Sequence, residues 1–519
     1  MRKSRTVNSI FNVVTGIGGQ LLTIILHFVS RTVFIYALGK EYLGISSLFT
    51  NILSMLSLAE LGVGSAMVFK LYEPLALDDR KRVVVLMKFY KHAYTAVAIV
   101  IAILGLCLIP FLPYLISDYE SLAALNINGV LIFLLYLLNT VASYLFFAYK
   151  SAIVKADQKE YILNIVSLVF ILIQNILQIT VLIVLHDFVA YVLVTIICSI
   201  AQNCVCAIIA NIRYPYIKEK TNDRLSGEET KGIVKDCSAL FLYKINAVVI
   251  KSTDNIVLSM FMGLNTVALY SNYYIFYTTI NTLYVKIFDG TVHSLGNFHS
   301  LHSDDRQREY KLFSAIMLIA AALGSVVFVG IFVVADEFIA VWVGSDWVIS
   351  QPFSWLLGFE LFTLALQTSL ARFRNAFGLF RQAKYRPIFS MAINIIVSVA
   401  LVNYLGVVGV LIGTIISEWT TTMMYDPRII LTYGLGKKDK IGRFYFKLLK
   451  YALTALAVGI LDKYLCSVLF VWGNWLSVML HAGICVLTVA ISIVLTNMHT
   501  DEFAYLMQVV NRYIHRIKK

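Results

Sequence analysis

Charge is scarce in this chain. Asp, Glu, Lys and Arg make up 14% of its 519 residues, about half the share of a soluble domain, which excludes a soluble enzyme and a disordered chain alike. Proline is also sparse, with 7 residues, leaving no room for a proline-rich linker. The seven cysteines occur singly or as Cys204-Val-Cys206. That spacing is neither a disulfide framework nor a zinc pattern, and buried, unreactive thiols are the expected state. No HExxH, phosphate-binding glycine loop, GxSxG or Cys/His cluster is present, so no catalytic residue and no metal ligand is assigned.

Hydrophobic residues fill the space instead, at 59% of the chain with a mean hydropathy of +0.78. The surplus must face lipid. Apolar stretches of about 20 residues recur at 7–37, 44–69, 89–109, 127–149, 161–185, 188–212, 237–262, 268–292, 313–335, 353–371, 388–404, 407–424, 449–469 and 475–496. The fold class read from them is an all-α integral membrane protein of about 14 transmembrane helices. The opening Met1-Arg-Lys-Ser-Arg5 resembles a signal-peptide n-region. The apolar run behind it is too long and lacks a cleavage site, so it is expected to stay as the first span.

The net charge of +13 would suggest nucleic acid in a soluble protein, but its distribution gives another reading. Thirty-seven of the 43 Lys and Arg lie in the tails and the connections after even-numbered spans, or within three residues of these. The opposite connections hold only Lys40, beside acids such as Glu41, Asp118, Glu120, Asp336, Glu337 and Asp346. By the positive-inside rule both termini are cytoplasmic, and no nucleic-acid partner needs invoking.

The longest basic connection, 213–236, falls after span six. It divides the chain into an N-lobe (1–212), a cytoplasmic linker (213–236), a C-lobe (237–433), two extra C-terminal spans (434–497) and a cytoplasmic amphipathic tail (498–519). Since six is even, the two six-span lobes would be related by an axis along the membrane normal. A weak repeat supports the division: Gly39, Gly44 and Ser47 recur in register as Gly263, Ala268 and Ser271. In the tail, Phe503, Leu506, Val510, Tyr513 and Ile517 have helical spacing, as in a helix lying on the inner membrane surface.

Ionisable residues inside spans are the most informative feature: Arg31, Glu60, Lys244, Lys251, Asp254, Glu360 and Glu418, with Lys286 and Asp289 nearer an inner end and Asp462 and Lys463 in span thirteen. Seven such groups facing lipid would cost roughly 20 kcal/mol at roughly 2.5–3.5 kcal/mol each, more than a domain's net stability. They must pair, face inward or line a wet cavity. Lys244, Lys251 and Asp254 or Asn255 share one helix face. Either Lys251 and Asp254 neutralise each other, or the face lines a cavity, and the extra charge of Lys244 favours the second. Arg31 has two readings, cavity wall or snorkel to the outer surface. Glu60, among Ala59, Gly62, Gly64 and Ser65, is a packing residue or a proton carrier. Glu360 and Glu418 are open between a structural hydrogen bond and coupling, and Lys286 with Asp289 reads as an ion pair.

The segments Ser252-Thr-Asp-Asn-Ile256, Tyr270-Ser-Asn-Tyr273, Ser294-Leu-Gly-Asn297 and Arg31…Phe34-x-x-x-Leu38-Gly39…Gly44-x-x-x-Leu48-Phe49 resemble those of Wzx-type polysaccharide flippases. These belong to the MOP superfamily together with lipid II flippases and MATE drug exporters. The resemblance implies two six-helix MATE-like lobes around a central cavity that alternates between inward-open and outward-open. Its implied cargo is an undecaprenyl-pyrophosphate-linked oligosaccharide, carried from the inner to the outer leaflet of a bacterial plasma membrane for capsule, exopolysaccharide or O-antigen assembly. It also implies a monomer with a polysaccharide polymerase and glycosyltransferases as partners. Related lipid II flippases carry a cavity cation on the first span, and Arg31 matches that type and place. Arg31, Lys244 and Lys251 are the substrate-binding candidates, and Glu60, Asp254, Asn255, Glu360 and Glu418 the cavity or coupling candidates. No cofactor is expected beyond coupling to an H+ or Na+ gradient. The rival readings are a drug or cation antiporter of the same fold and, from another class, a polyprenyl-linked sugar transferase or polymerase.

Overall fold

The computed structural model describes residues 5–517 except 61, 62, 118, 120–127, 220, 222, 224, 302–305, 350, 380, 381 and 384. The side chains of 5–17, 21, 59, 65, 66, 234–244, 246, 247, 251, 289–301, 509, 510 and 512–517 are also outside the description. Among the described residues there are helices and no strands, as a chain in lipid requires, since a helix satisfies its own backbone groups.

By contact the chain divides into two units, 1–268 and 269–519. The first holds α1 (Arg5–Leu38), α2 (Lys40–Leu56), α3 (Val63–Ala76), α4 (Arg80–Leu108), α5 (Leu112–Leu115), α6 (Gly129–Leu145), α7 (Ser151–Ala156), α8 (Glu160–Val184), α9 (Phe188–Arg213) and α10 (Gly227–Met262). Short polar residues start several of these helices by accepting from an orphan backbone N–H. Asp79 accepts from Arg82, Asn128 from Leu131 and Asp187 from Ala190, and Ser226 with Glu229 forms a capping box. Within the unit α1 packs on α8, α8 on α9, α9 on α6, and α6 on α4, while α10 lies against α2 and α3. By these contacts with α2 and α3, α10 belongs to the first unit.

The second unit holds α11 (Leu264–Leu301) from residue 269 on, then α12 (Arg306–Val343), α13 (Phe353–Ala376), α14 (Arg386–Leu405), α15 (Val407–Glu418), α16 (Met424–Ile429), α17 (Ile441–Val468), α18 (Trp475–Asn497) and α19 (Asp501–Ile517). α12 is its hub, packed by α13, α17, α18 and α19. Most of α12 is buried, whereas α8 and α14 leave Ile173, Ile176, Phe389 and Ile396 exposed, the apolar surface that lipid covers.

Helices stand at all fourteen expected places, but among the described residues ten are long and apolar enough to cross a membrane. An eleventh is gained if Gly129–Leu145 and Ala148–Ala156, bent by 42°, count as one span. The three that fall short are physically distinct. Expected span 44–69 is interrupted by a 3-10 turn at Ser57–Glu60. α11 is long enough but too polar over its described part, 264–288, and much of α10 has side chains outside the described residues.

Asp336 and Glu337, expected in an outer loop, lie instead inside α12. Asp336 accepts from Tyr273 at 2.7 Å and from Ser354 and Gln351. Glu337 takes Ser477 at 2.6 Å and His481 at 2.7 Å. These partners let the helix extend past the point where its acids would otherwise end an apolar segment. Asp462 and Lys463 are also served separately, Asp462 by Thr488 at 2.6 Å and Lys463 by the Phe332 and Val333 carbonyls of α12 at 3.5 Å. In the tail, α19 packs on α12, and its buried Glu502 pairs with Lys447 of α17. Val510, Tyr513 and Ile517 have side chains outside the described residues.

Candidate functional site

A cavity of about 750 Å3 lies within the first unit. α1 contributes His27 to it, α2 Ser46, Thr50 and Ser54, and the 3-10 turn Ser57 and Glu60. α6 adds Tyr136, Asn139, Thr140 and Tyr144, α8 adds Gln174 and Gln178, and α9 adds Tyr191 and Thr195. On α2, α6, α8 and α9 polar groups thus recur at three- or four-residue intervals on one face, while the outer faces stay apolar. Several hydroxyls also bond the carbonyl one turn back, including Ser54 to Thr50 at 2.7 Å and Thr140 to Tyr136 at 3.0 Å, which is how a hydroxyl sits in an apolar helix at low cost.

Cross-links fix the wall. Tyr136 donates to Ser46 Oγ at 2.7 Å, joining α6 to α2, and Gln178 to Thr195 Oγ1 at 2.9 Å, joining α8 to α9. Asn139 Oδ1 is buried without a hydrogen-bond partner among the described residues, an acceptor that water or a ligand hydroxyl satisfies. At one end the rings of Phe34, Tyr136, Phe188 and Tyr191 pack on one another, with Phe34 and Tyr191 at 5.1 Å.

One charged candidate, Glu60, lines this cavity, and a second, Arg31, interacts with its wall residue Tyr191. Glu60 is on its wall, where Tyr94 donates to Oε1 at 2.9 Å and Tyr90 donates in turn to Tyr94 at 3.2 Å. Arg31 is half-buried, one helical turn beyond His27 on the same face of α1, and interacts electrostatically with the wall residue Tyr191. Glu60 is the one carboxylate among the described wall residues.

The other candidates are not among the described wall residues. Asp254 and Asn255 are buried at 1% exposure in α10 and do not reach the cavity wall. The side chains of Lys244, Lys251 and Asp289, and of the segment 294–297, lie outside the described residues. Glu360 and Glu418 belong to the second unit, buried in α13 and α15, which pack together. Beside them Trp419 donates to Thr363 at 3.1 Å at the start of a π-helical turn, Trp419–Met423.

Sequence reasoning missed the uncharged wall. Its signal was present in the i, i+4 recurrence of Tyr136, Thr140 and Tyr144, of Gln174 and Gln178, and of Tyr191 and Thr195. It also missed a buried cluster in the second unit, where Asp426, fully buried, takes Arg374 and Arg386 at 2.5 Å each. Both arginines had counted as solvated topology charges. Among the described residues no three His, Cys, Asp or Glu side chains are placed to hold a metal ion.

The chain matches no protein-family model and none of the curated proteins. Its fold does match solved structures. The lipid II flippase MurJ, in an inward closed conformation, superposes with a TM-score of 0.66 at 15% identity, over 93% of this chain and 98% of that one. An inward-facing multidrug resistance MATE family transporter of the MOP superfamily gives 0.55 at 15% identity, over 81% and 96%. The chain is thus a multi-pass membrane protein with the fold of MOP-superfamily transporters.

Proposed function

We propose that the chain is a flippase that carries an undecaprenyl-pyrophosphate-linked oligosaccharide from the inner to the outer leaflet of a bacterial plasma membrane. The polar cavity enclosed by otherwise lipid-facing helices is the observation that carries this reading. A pyrophosphate-sugar headgroup cannot cross about 30 Å of hydrocarbon unaided. A wall of hydroxyls and amides can replace its hydration, and a guanidinium can hold its phosphates through paired, charge-assisted hydrogen bonds. Here the wall supplies the first and Arg31 the second, with the rings around Tyr191 as a surface for sugar faces. The volume suits a small oligosaccharide head. The likeness to the lipid II flippase supports the choice of a lipid-linked cargo.

Fourteen spans with both termini in the cytoplasm complete the proposal, as does alternating access between two lobes. Glu60, with its Tyr94–Tyr90 chain, is the coupling candidate for a proton gradient. A cation exporter of the same fold would draw on Glu60 as counter-charge. A single carboxylate with a guanidinium close to the same wall suits an anionic headgroup better.

The test is binding of a fluorescent polyprenyl-pyrophosphate disaccharide by the purified full-length protein. Thr195→Trp, which fills the cavity, should abolish binding that the wild type shows. Equal binding by both proteins would contradict the assignment of this cavity.

A further inference from the structure

Phe147 has a φ of +59°, a left-handed conformation that bulky residues rarely adopt. It ends α6 and turns the chain by 42° into Ala148–Ala156. The turn creates a shelf outside the cavity. Phe146 and Phe147 are 40% and 43% exposed. Above them the Lys150 ammonium stands 5.0 Å from the Phe147 ring centre and 6.0 Å from that of Tyr149, and donates to Asn211 Oδ1 at 2.9 Å. A tethered cation therefore sits directly over exposed apolar rings.

Lys150 has cationic company. The charges that act on it are those of Lys218 and Lys91, both repulsive. Several acids of the same region are engaged elsewhere: Asp157 by Lys159 at 2.5 Å and Tyr214 at 2.6 Å, Glu160 by Lys155 at 3.7 Å, and Glu229 by Arg82, while Glu219 follows Lys218 directly in the chain. Ordinary topology lysines fan out into water, but Lys150 is held in place by Asn211. Three gathered ammonium groups raise a positive potential that an anion relieves.

Depth identifies the kind of anion. Gly129–Leu145 is 17 residues, about 25 Å of helix, with Lys150 just past its end, and Lys91 to Leu115 is 24 residues, about 36 Å. Both ammoniums therefore lie about one hydrocarbon thickness (about 30 Å) from the far ends of their helices, at headgroup level.

We propose that Lys91, Lys150 and Lys218 bind the phosphate of a lipid headgroup, whose tail lies over Phe146 and Phe147. The occupant is an anionic phospholipid of the adjoining leaflet, the inner one by the distribution of Lys and Arg. Only the choice of leaflet rests on the orientation proposed above, and the cargo reading is not used.

Full-length protein in phosphatidylcholine nanodiscs containing a minor fraction of phosphatidylglycerol provides the test, read by native mass spectrometry of retained lipid. The wild type should retain phosphatidylglycerol preferentially, and Lys150→Gln should weaken that preference about fivefold. The double variant Lys91→Gln/Lys218→Gln, at exposed positions where folding is not at stake, should weaken it further, and Lys150→Arg should preserve it. Equal retention by wild type and both Gln variants would overturn the site. Displacement of the lipid by equimolar inorganic phosphate would overturn the lipid assignment in favour of a free-anion site.

Discussion

Gly44 lies against Leu264 so closely that a Cβ built on Gly44 would stand 2.2 Å from the Leu264 carbonyl oxygen. Each residue follows a turn glycine of the repeat, five positions after Gly39 and one after Gly263. The two glycines share one backbone conformation, φ 89° and ψ −168° against φ 82° and ψ 172°, and each joins two helices without an intervening loop. The repeat legible in sequence is thus a pair of like-shaped turns, and the small residue after the first lets the second approach.

Gly44→Ala should therefore destabilise the first unit by about 1–3 kcal/mol, the usual cost of overpacking. Gly330→Ala provides the control, because a Cβ there meets nothing within 4 Å. It should be neutral or raise stability by up to about 1 kcal/mol through helix propensity. Thermal unfolding of the detergent-purified variants distinguishes the two.

The Arg374–Asp426–Arg386 cluster makes a sharper stability prediction. Asp426 is fully buried and both guanidiniums nearly so. Asp426→Ala should cost about 3–5 kcal/mol, because it removes the carboxylate that two buried guanidiniums share. Replacing all three by apolar residues of similar volume should recover most of the loss. A triple variant no more stable than Asp426→Ala, in the same unfolding assay, would contradict this.

Glu229 gives a pH prediction outside the membrane. Hydrogen bonds from the Ser226 backbone and from Arg82 hold its carboxyl below the ordinary 4.5. Such a group adds stability above its unfolded value and loses it as pH falls through the lowered folded value. The N-terminus of α10 should accordingly become more open to proteolysis below about pH 4.5 and not between pH 5 and 8. Glu229→Gln should be equally open across that range and flatten the response.

Glu60 predicts a separation of binding from coupling. Glu60→Gln keeps an acceptor for Tyr94 but no ionisable group. It should leave stability and cargo binding within about twofold while removing the response of transport to an imposed pH gradient. A rate that still follows the gradient would exclude Glu60 as the proton carrier.

Much of the fold could be read from the sequence because lipid imposes a strong composition signal. Apolar runs such as 161–185 and 475–496 reappear as α8 and α18 within a few residues. The signal failed where helices carry polar work. Span 44–69 is broken at Ser57–Glu60, and the described part of α11 is too polar to pass as an apolar span. The site was less legible. Charges are conspicuous in a span because each is costly, and they led to Glu60 and Arg31. The wall itself is built from Ser, Thr, Tyr, Asn and Gln, whose low individual cost makes them look like ordinary packing. Asp336 and Glu337 were misjudged for the opposite reason: their partners lie 15 to 144 residues away and are invisible to a local reading.

The central claim is that Arg31 and the polar cavity beside it carry a phosphorylated lipid head across the membrane. Translocation of a fluorescent polyprenyl-pyrophosphate disaccharide in proteoliposomes, scored by its accessibility to an external quencher, tests it most directly. Arg31→Ala should slow translocation at least about tenfold, as expected for loss of a charge-assisted contact, while Arg31→Lys retains most of the rate and both fold normally. Wild-type translocation by Arg31→Ala would contradict the claim.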